Sequence, residues 1–181
     1  MHTNNNSEPT TLVKIAKSYD YEIAIIGAGG IGSHLVSALV PALHRGDLLM
    51  STERITIRMY DSDMVSEENL AHQRFMPDDM GKHKVTAIAE SMAPFTSDRL
   101  RLVACPWDVR EASDMKPADI TVVAVDSAVA RRVVHSSDTI FLDLRCLGDG
   151  YVALDSSVDP DFVIKMTPDQ PARSCQHEDA I

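Results

Sequence analysis

Glu22-Ile-Ala-Ile-Ile-Gly27-Ala-Gly29-Gly30-Ile-Gly32-Ser33 is the stretch on which the fold turns. Ile23 to Ile26 form a short apolar run that stops at glycines, the pattern of a strand buried on both faces of a parallel sheet. Gly27, Gly29 and Gly32 have the spacing G-x-G-x-x-G, which combines a tight turn, a close approach of backbone to phosphate and close packing of strand on helix. From Ile31 the apolar positions Leu35, Val36, Leu39, Val40 and Leu43 recur at helical spacing. A helix N-terminus therefore points its N–H groups and positive dipole end at whatever lies over the glycines. By itself the motif suggests a dinucleotide or a purely structural turn.

Working outward, His44-Arg45-Gly46 closes the helix, and Ile55 to Tyr60 reads as a second strand running into Asp61-Ser62-Asp63. Ser66 is an N-cap for a short helix with Glu67 and Glu68 in its first turn, carrying Asn69, Gln73 and Arg74. A longer helix opens at Gly81-Lys82-His83-Lys84 and stops at Pro94. Further strands are expected at 100–104, 119–125 and 139–144, with a loop over 106–118 and a helix after Asp126. Tyr151–Asp155 and Phe162–Met166 read as antiparallel edge strands. The alternation predicts an α/β, Rossmann-like, doubly wound and mostly parallel sheet, with helices on both faces and antiparallel edge strands near the C-terminus. Ligands of such sheets bind beyond the carboxyl ends of the strands, where the glycine loop, Asp61–Asp63 and Asp126 all fall.

The chain of 181 residues has room for one domain and little more. Residues 1–20 read as a polar tail with a short amphipathic helix at 11–19, and 21–181 as the nucleotide-binding domain. A formal net charge of −10 argues against non-specific contact with nucleic acid or an anionic membrane. Cys105, Cys146 and Cys175 are odd in number, far apart and without C-x-x-C spacing, so neither a disulfide framework nor a zinc site is expected. No signal peptide is legible at the start, and a cytoplasmic location is expected.

Five segments sharpen the reading: Gly27-Ala-Gly29-Gly30-Ile-Gly32, Asp61-Ser-Asp63-Met-Val65, Asn69-Leu-Ala-His72-Gln73, Gly81-Lys-His-Lys84 and Val125-Asp126. In this order the chain resembles the ThiF/MoeB/HesA superfamily, whose pattern is G-x-G-G-x-G, D-x-D-x-V, N-L-x-R-Q, G-x-x-K and an aspartate closing a later strand. The resemblance covers about residues 22–130. It implies transfer of AMP from ATP to the C-terminal glycine carboxylate of a small ubiquitin-like or sulfur-carrier protein, with loss of pyrophosphate, in a homodimer or heterodimer.

On that resemblance Asp61 holds the ribose, Lys84 and an arginine the phosphates, and Asp126 a Mg²⁺ ion. The nucleotide-contacting set is Gly27, Gly29, Gly30, Gly32, Asp61, Asp63, Asn69, Gln73 and Lys84; Lys84, Arg74 and Asp126 act on the reacting phosphates. Plainer roles stand beside these: Asp63 as a turn residue, Asn69 as a solvated helix position, Lys84 as a surface lysine, Asp126 as a helix cap, and Cys105 and Cys146 as small buried apolar residues. Cys175 is a weak candidate nucleophile.

The sequence departs from the family pattern at three places. His72 stands where the family has arginine, and Arg74, two positions on, lies about 200° away around a helix. Family members often receive an arginine from the partner subunit's N-terminal segment; the first arginine here is Arg45, and Lys14 or Lys17, which stand before it, cannot reproduce bidentate phosphate binding. The zinc and partner-binding extension common in the family is not expected within this chain. Two alternatives follow: a catalytically weak nucleotide-binding subunit that pairs with an active paralogue, and an NAD-dependent oxidoreductase, which leaves the Asn69–Lys84 segment without a purpose.

Overall fold

A computed structural model describes residues 19–147 and 150–166. Six strands form one sheet in the order β3-β2-β1-β4-β5-β6. These are β1 (Asp20–Ile26), β2 (Arg54–Tyr60), β3 (Leu100–Cys105), β4 (Ile120–Val123), β5 (Ile140–Leu147) and β6 (Gly150–Asp155). All neighbouring pairs are parallel except β5 with β6, which is antiparallel. The helices are α1 (Gly30–Arg45), α2 (Leu48–Ser51), α3 (Lys84–Met92), α4 (Ala128–His135) and α5 (Pro160–Lys165).

The apolar runs of the sequence are the strands covered on both sides. On one face Ile25, Ile55, Ile57 and Met59 pack with Val36 and Val40 of α1 and with Val85 and Ile88 of α3. On the other, Ala24, Ile26, Tyr60, Val123 and Phe141 pack with Ala130 and Val134 of α4. Period-2 alternation along each strand sends successive side chains to opposite layers, so helices are needed on both.

Strand register places the site. Ile26 pairs with Tyr60 and with Val123, and Tyr60 pairs with Cys105. The ladder continues past the strands as Gly27 N–H donates to Tyr60 O, Asp61 N–H to Cys105 O and Ala124 N–H to Ile26 O. Four strand ends are thus level, and the loops after β1, β2, β3 and β4 leave from one edge. The order reverses between β1 and β4, where a doubly wound sheet opens its crevice.

Several sequence expectations need correction. Phe162–Met166 is not an edge strand: Phe162–Lys165 belongs to α5 and Met166 follows it, with Pro160 in the helix's first turn, where a missing N–H and fixed φ suit a helix start. The Asp159 carbonyl there accepts from the N–H groups of Phe162 and Val163. The helix expected after Ser66 is a 3₁₀ turn over Glu67–Ala71, and residues 72–74 are non-helical. Cys105 is buried as expected, but Cys146 is exposed. The loop over 106–118 contains a single 3₁₀ turn, Ala112–Asp114. The helix foreseen at 11–19 lies outside the described residues apart from Tyr19, which is not helical, and Cys175 lies outside them altogether.

Candidate functional site

The glycines divide into two kinds. Gly27 has φ of +102°, which side-chain-bearing residues rarely adopt, and a Cβ there would lie 2.5 Å from Ala124 O. A Cβ on Gly32 would lie 1.9 Å from Gly27 O. These two are dictated by the turn and by the closeness of α1 to it. Among the described residues an added Cβ at Gly29 meets nothing within 4 Å, and at Gly30 it meets only His72 O at 3.9 Å. Open space therefore lies over the middle of the loop. Gly29 caps α1 without a side-chain hydrogen bond, leaving a helix start whose first N–H groups have no intrahelical partner.

Asp61, the first residue after β2, reaches back to this loop. Its Oδ2 accepts the Ala28 N–H at 2.7 Å and its Oδ1 the Asp63 N–H at 2.8 Å. A carboxylate has about four acceptor positions, so capacity for a ribose hydroxyl remains. Burial pushes the Asp61 carboxyl above its ordinary value, against the opposing pull of the two N–H donors and of Lys84. The neighbouring Ser62 Oγ donates to Asp108 Oδ1 at 2.5 Å, which, with Arg110, holds the Asp108 carboxyl below its usual range.

Lys84 is the first residue of α3. Its N–H donates to Asp63 O at 2.9 Å, and an isolated bridge between Met64 and His83 fastens the same two segments. The Lys84 side chain is 8% exposed, and its Nζ meets Asp63 Oδ2 at 2.7 Å, while Asp63 itself is 66% exposed. Lys84 is therefore not a surface lysine. Ala28, Asp61, Asp63 and Lys84 form an unbroken run of polar contacts along the sheet edge.

Residues 72–74 lie against the start of α1. The His72 carbonyl faces Gly30, and Arg74 N–H donates to Ser33 Oγ at 3.2 Å. Between them in sequence, Gln73 Oε1 is buried and has no hydrogen-bond partner among the described residues. The side chains of His72 and Arg74 are exposed. The helical argument separating these two by about 200° no longer applies, because the 3₁₀ turn ends at Ala71. Asn69 is 4% exposed, so it is no solvated helix position; its Oδ1 accepts the Ser66 N–H at 2.9 Å.

Asp126 follows β4 and is exposed. The cap of α4 is Ser127, whose Oγ accepts from Ala130 N–H at 3.5 Å, and not Asp126. The turn before Asp126 abuts the glycine loop, since a Cβ on Gly27 would lie 2.8 Å from Val125 Cγ1.

Sequence reasoning missed what supports this edge from below. Asp143 of β5 is fully buried and meets Arg131 and His135 of α4 and Arg145 of β5. Arg131 also donates to the Val125 carbonyl, directly before Asp126, and Arg145 to the Met166 carbonyl after α5. One carboxylate thus ties α4, β5 and the two turns. His135 Nε2 lies 2.8 Å from Asp143 Oδ2, and burial, with the two guanidinium groups, lowers the imidazole to about 4. Nothing in the spacing of these residues announces them, since α4 and β5 meet only in the fold. The Ser62–Asp108 contact is equally silent in sequence.

Residues 8–177 match the ThiF family. The chain belongs to the ThiF family. No curated protein matches it. Among solved structures it resembles Escherichia coli MccB with AMPCPP and MccA, at 21% identity and a TM-score of 0.59, over 88% of this chain and 52% of that one. E. coli MccB with ATP gives 20% identity and a TM-score of 0.58, with the same coverage. The microcin C7 biosynthetic enzyme MccB with N-formylated MccA gives 24% and 0.56, over 71% of this chain and 37% of that one. These likenesses show the fold, and this ThiF chain spans about one third to one half of those proteins. Among its described residues no helix is long and apolar enough to cross a membrane, and no three acidic, histidine or cysteine side chains gather to hold a metal.

Proposed function

We propose that this ThiF-family chain binds ATP at the carboxyl edge of its sheet and transfers AMP to the C-terminal carboxylate of a small protein or peptide. The observation that carries the reading is the continuous link from the glycine loop through Asp61 and Asp63 to Lys84. A dinucleotide site needs the loop and Asp61 alone; a nearly buried lysine at its far end suits a polyphosphate. The open space over Gly29 and Gly30 fits phosphate oxygens.

In this reading the α1 N-terminus and the N–H groups of the loop hold the phosphates, and Asp61 accepts from the ribose. Lys84 balances charge on the phosphate chain. The carboxylate oxygen of the small protein attacks the α-phosphorus in line, the bond to the bridging oxygen breaks, and pyrophosphate departs with the electron pair. The chain's tasks are positioning and charge neutralisation. Asp126, exposed and freed from capping by Ser127, fits Mg²⁺, which takes one or two carboxylates plus phosphate oxygens. Bound there, Mg²⁺ would supply further neutralisation of the phosphates. The partner is a ubiquitin-like or sulfur-carrier protein, and the chain acts as a homodimer or heterodimer.

ATP–pyrophosphate exchange in the presence of the candidate small protein tests this, with wild type, Lys84→Ala and Asp126→Ala. Loss of exchange in both variants is expected, and exchange that survives both substitutions refutes the site. A second reading rests on His72 and Arg74: both are exposed and no other arginine adjoins the start of α1 among the described contacts, which favours a weakly catalytic subunit paired with an active paralogue. ATP binding without exchange is its signature. Tighter binding of NADH than of ATP would instead mark an oxidoreductase.

A further inference from the structure

We infer that Asp63 is a built-in competitor for the phosphate chain: it positions Lys84 and is exchanged for the ligand, and it is not itself a nucleotide contact. This rests on the proposed ATP site and specifies how that site is regulated.

The argument is the asymmetry of one ion pair. Lys84 is fixed by its place in the first turn of α3, by its N–H bond to Asp63 O and by burial, its side chain being 8% exposed. Its ammonium, taken out of water, needs an anion close by. The Asp63 carboxylate supplies one at 2.7 Å, yet its side chain is 66% exposed. Leaving Lys84 returns that carboxylate to water at small cost, whereas Lys84 has nowhere to follow. A phosphate oxygen offers the same charge-assisted bond, so the two anions compete for one cation.

The backbone makes the exchange local. Asp63 N–H stays on Asp61 Oδ1 and Asp63 O stays on Lys84 N–H, so the carboxylate swings by side-chain rotation alone while Asp61 and α3 keep their places. Asp63 then plays two opposing parts: it keeps the lysine aimed along the sheet edge, and it repels any anion that arrives there. In a chain of net charge −10 this raises selectivity for ligands that bring a cation of their own over bare phosphates.

Pyrophosphate binding by titration calorimetry, at low ionic strength with a chelator present, tests the inference. Wild type, Asp63→Asn, Asp63→Ser and Lys84→Met are compared, with thermal unfolding of each. Removing a unit charge about 4–6 Å from a phosphate, at an effective dielectric between protein surface and water, is expected to tighten pyrophosphate binding about threefold to thirtyfold in Asp63→Asn. The gain shrinks as salt is added. Asp63→Ser, which keeps a small acceptor for Lys84, is expected to tighten binding in the same direction, and covers the case in which the asparagine variant does not fold. A merely structural role would weaken binding in both, because Lys84 would lose its aim. Equal or weaker binding in whichever variant folds, with Lys84-dependent binding in wild type, overturns this inference and leaves the phosphate site standing. Wild-type binding that survives Lys84→Met unchanged, or no binding at all, overturns both.

Discussion

Two alanine substitutions in one turn of chain, Gly29→Ala and Gly32→Ala, separate the folding role of the glycine loop from its ligand role. Gly32→Ala places a Cβ 1.9 Å from the Gly27 carbonyl oxygen and 2.8 Å from its carbon, where ordinary contact begins at 3.4 Å. Both obstacles are backbone, so neither can rotate away. Elsewhere in a helix Gly→Ala gains about 0.5–1 kcal/mol; here α1 must retreat from β1, and forced repacking of this kind costs about 1–3 kcal/mol or more. We expect a net loss of about 2 kcal/mol, which for a domain of this size lowers Tm by roughly 4–8 °C. Gly29→Ala meets no atom within 4 Å and sits at extended backbone angles, φ −76° and ψ −150°. It costs only the difference between glycine and alanine as an N-cap, about 0.5–1 kcal/mol. Yet its methyl group stands in the space proposed for phosphate, so ATP affinity is expected to fall about tenfold or more. Thermal and urea unfolding followed by circular dichroism, with ATP titration of each variant, reads both quantities. An unchanged Tm in Gly32→Ala, or a Gly29→Ala variant destabilised as much as Gly32→Ala, would refute the division of roles.

Two pH effects follow from the described titrating groups. The native state holds the His135 imidazole at about 4 while the unfolded chain titrates near 6.5, so the unfolded state binds the extra proton between these values. Stability is therefore level above pH 6.5, declines as pH falls toward 4, and loses about 3 kcal/mol in total. Urea unfolding across that range checks this, and His135→Gln should flatten the slope; a slope that persists in this variant assigns the loss elsewhere. Asp61, raised by burial, must be ionised to accept both backbone N–H groups and a ribose hydroxyl. ATP affinity should accordingly decline on the acid side starting above the ordinary aspartate range, and Asp61→Asn should abolish that limb; a profile identical in both proteins would show that Asp61 does not govern it.

Wherever chemistry is local, the chain announces its own structure. Ala24–Ile26 are buried, Gly27 and Gly32 have no substitute at their contacts, and the helical periodicity from Ile31 follows at once; those residues point to a parallel, doubly wound sheet. Asp61 and Asp126 were legible at one sheet edge because each follows a strand, whereas Lys84 was reached through its place in the resemblance's G-x-x-K segment. Local patterns failed where two states are close in propensity: Phe162–Met166 is apolar enough for an edge strand, and Pro160 two residues earlier suits the start of a helix.

Only the tertiary structure decided the pairings. That Asp63 faces Lys84, that Ser62 leans on Asp108, and that Asp143 gathers Arg131, Arg145 and His135 depends on which strand ends and helix starts lie together. The physical reason is that hydrophobic periodicity reports which face of an element is buried, whereas a hydrogen bond or ion pair between distant residues depends on distances of a few ångströms. Those distances are set by the register of the sheet and the packing of helices on it. Sequence pointed to the glycine loop and the carboxyl edge of the sheet; packing determined that Lys84 is buried there and already holds a carboxylate.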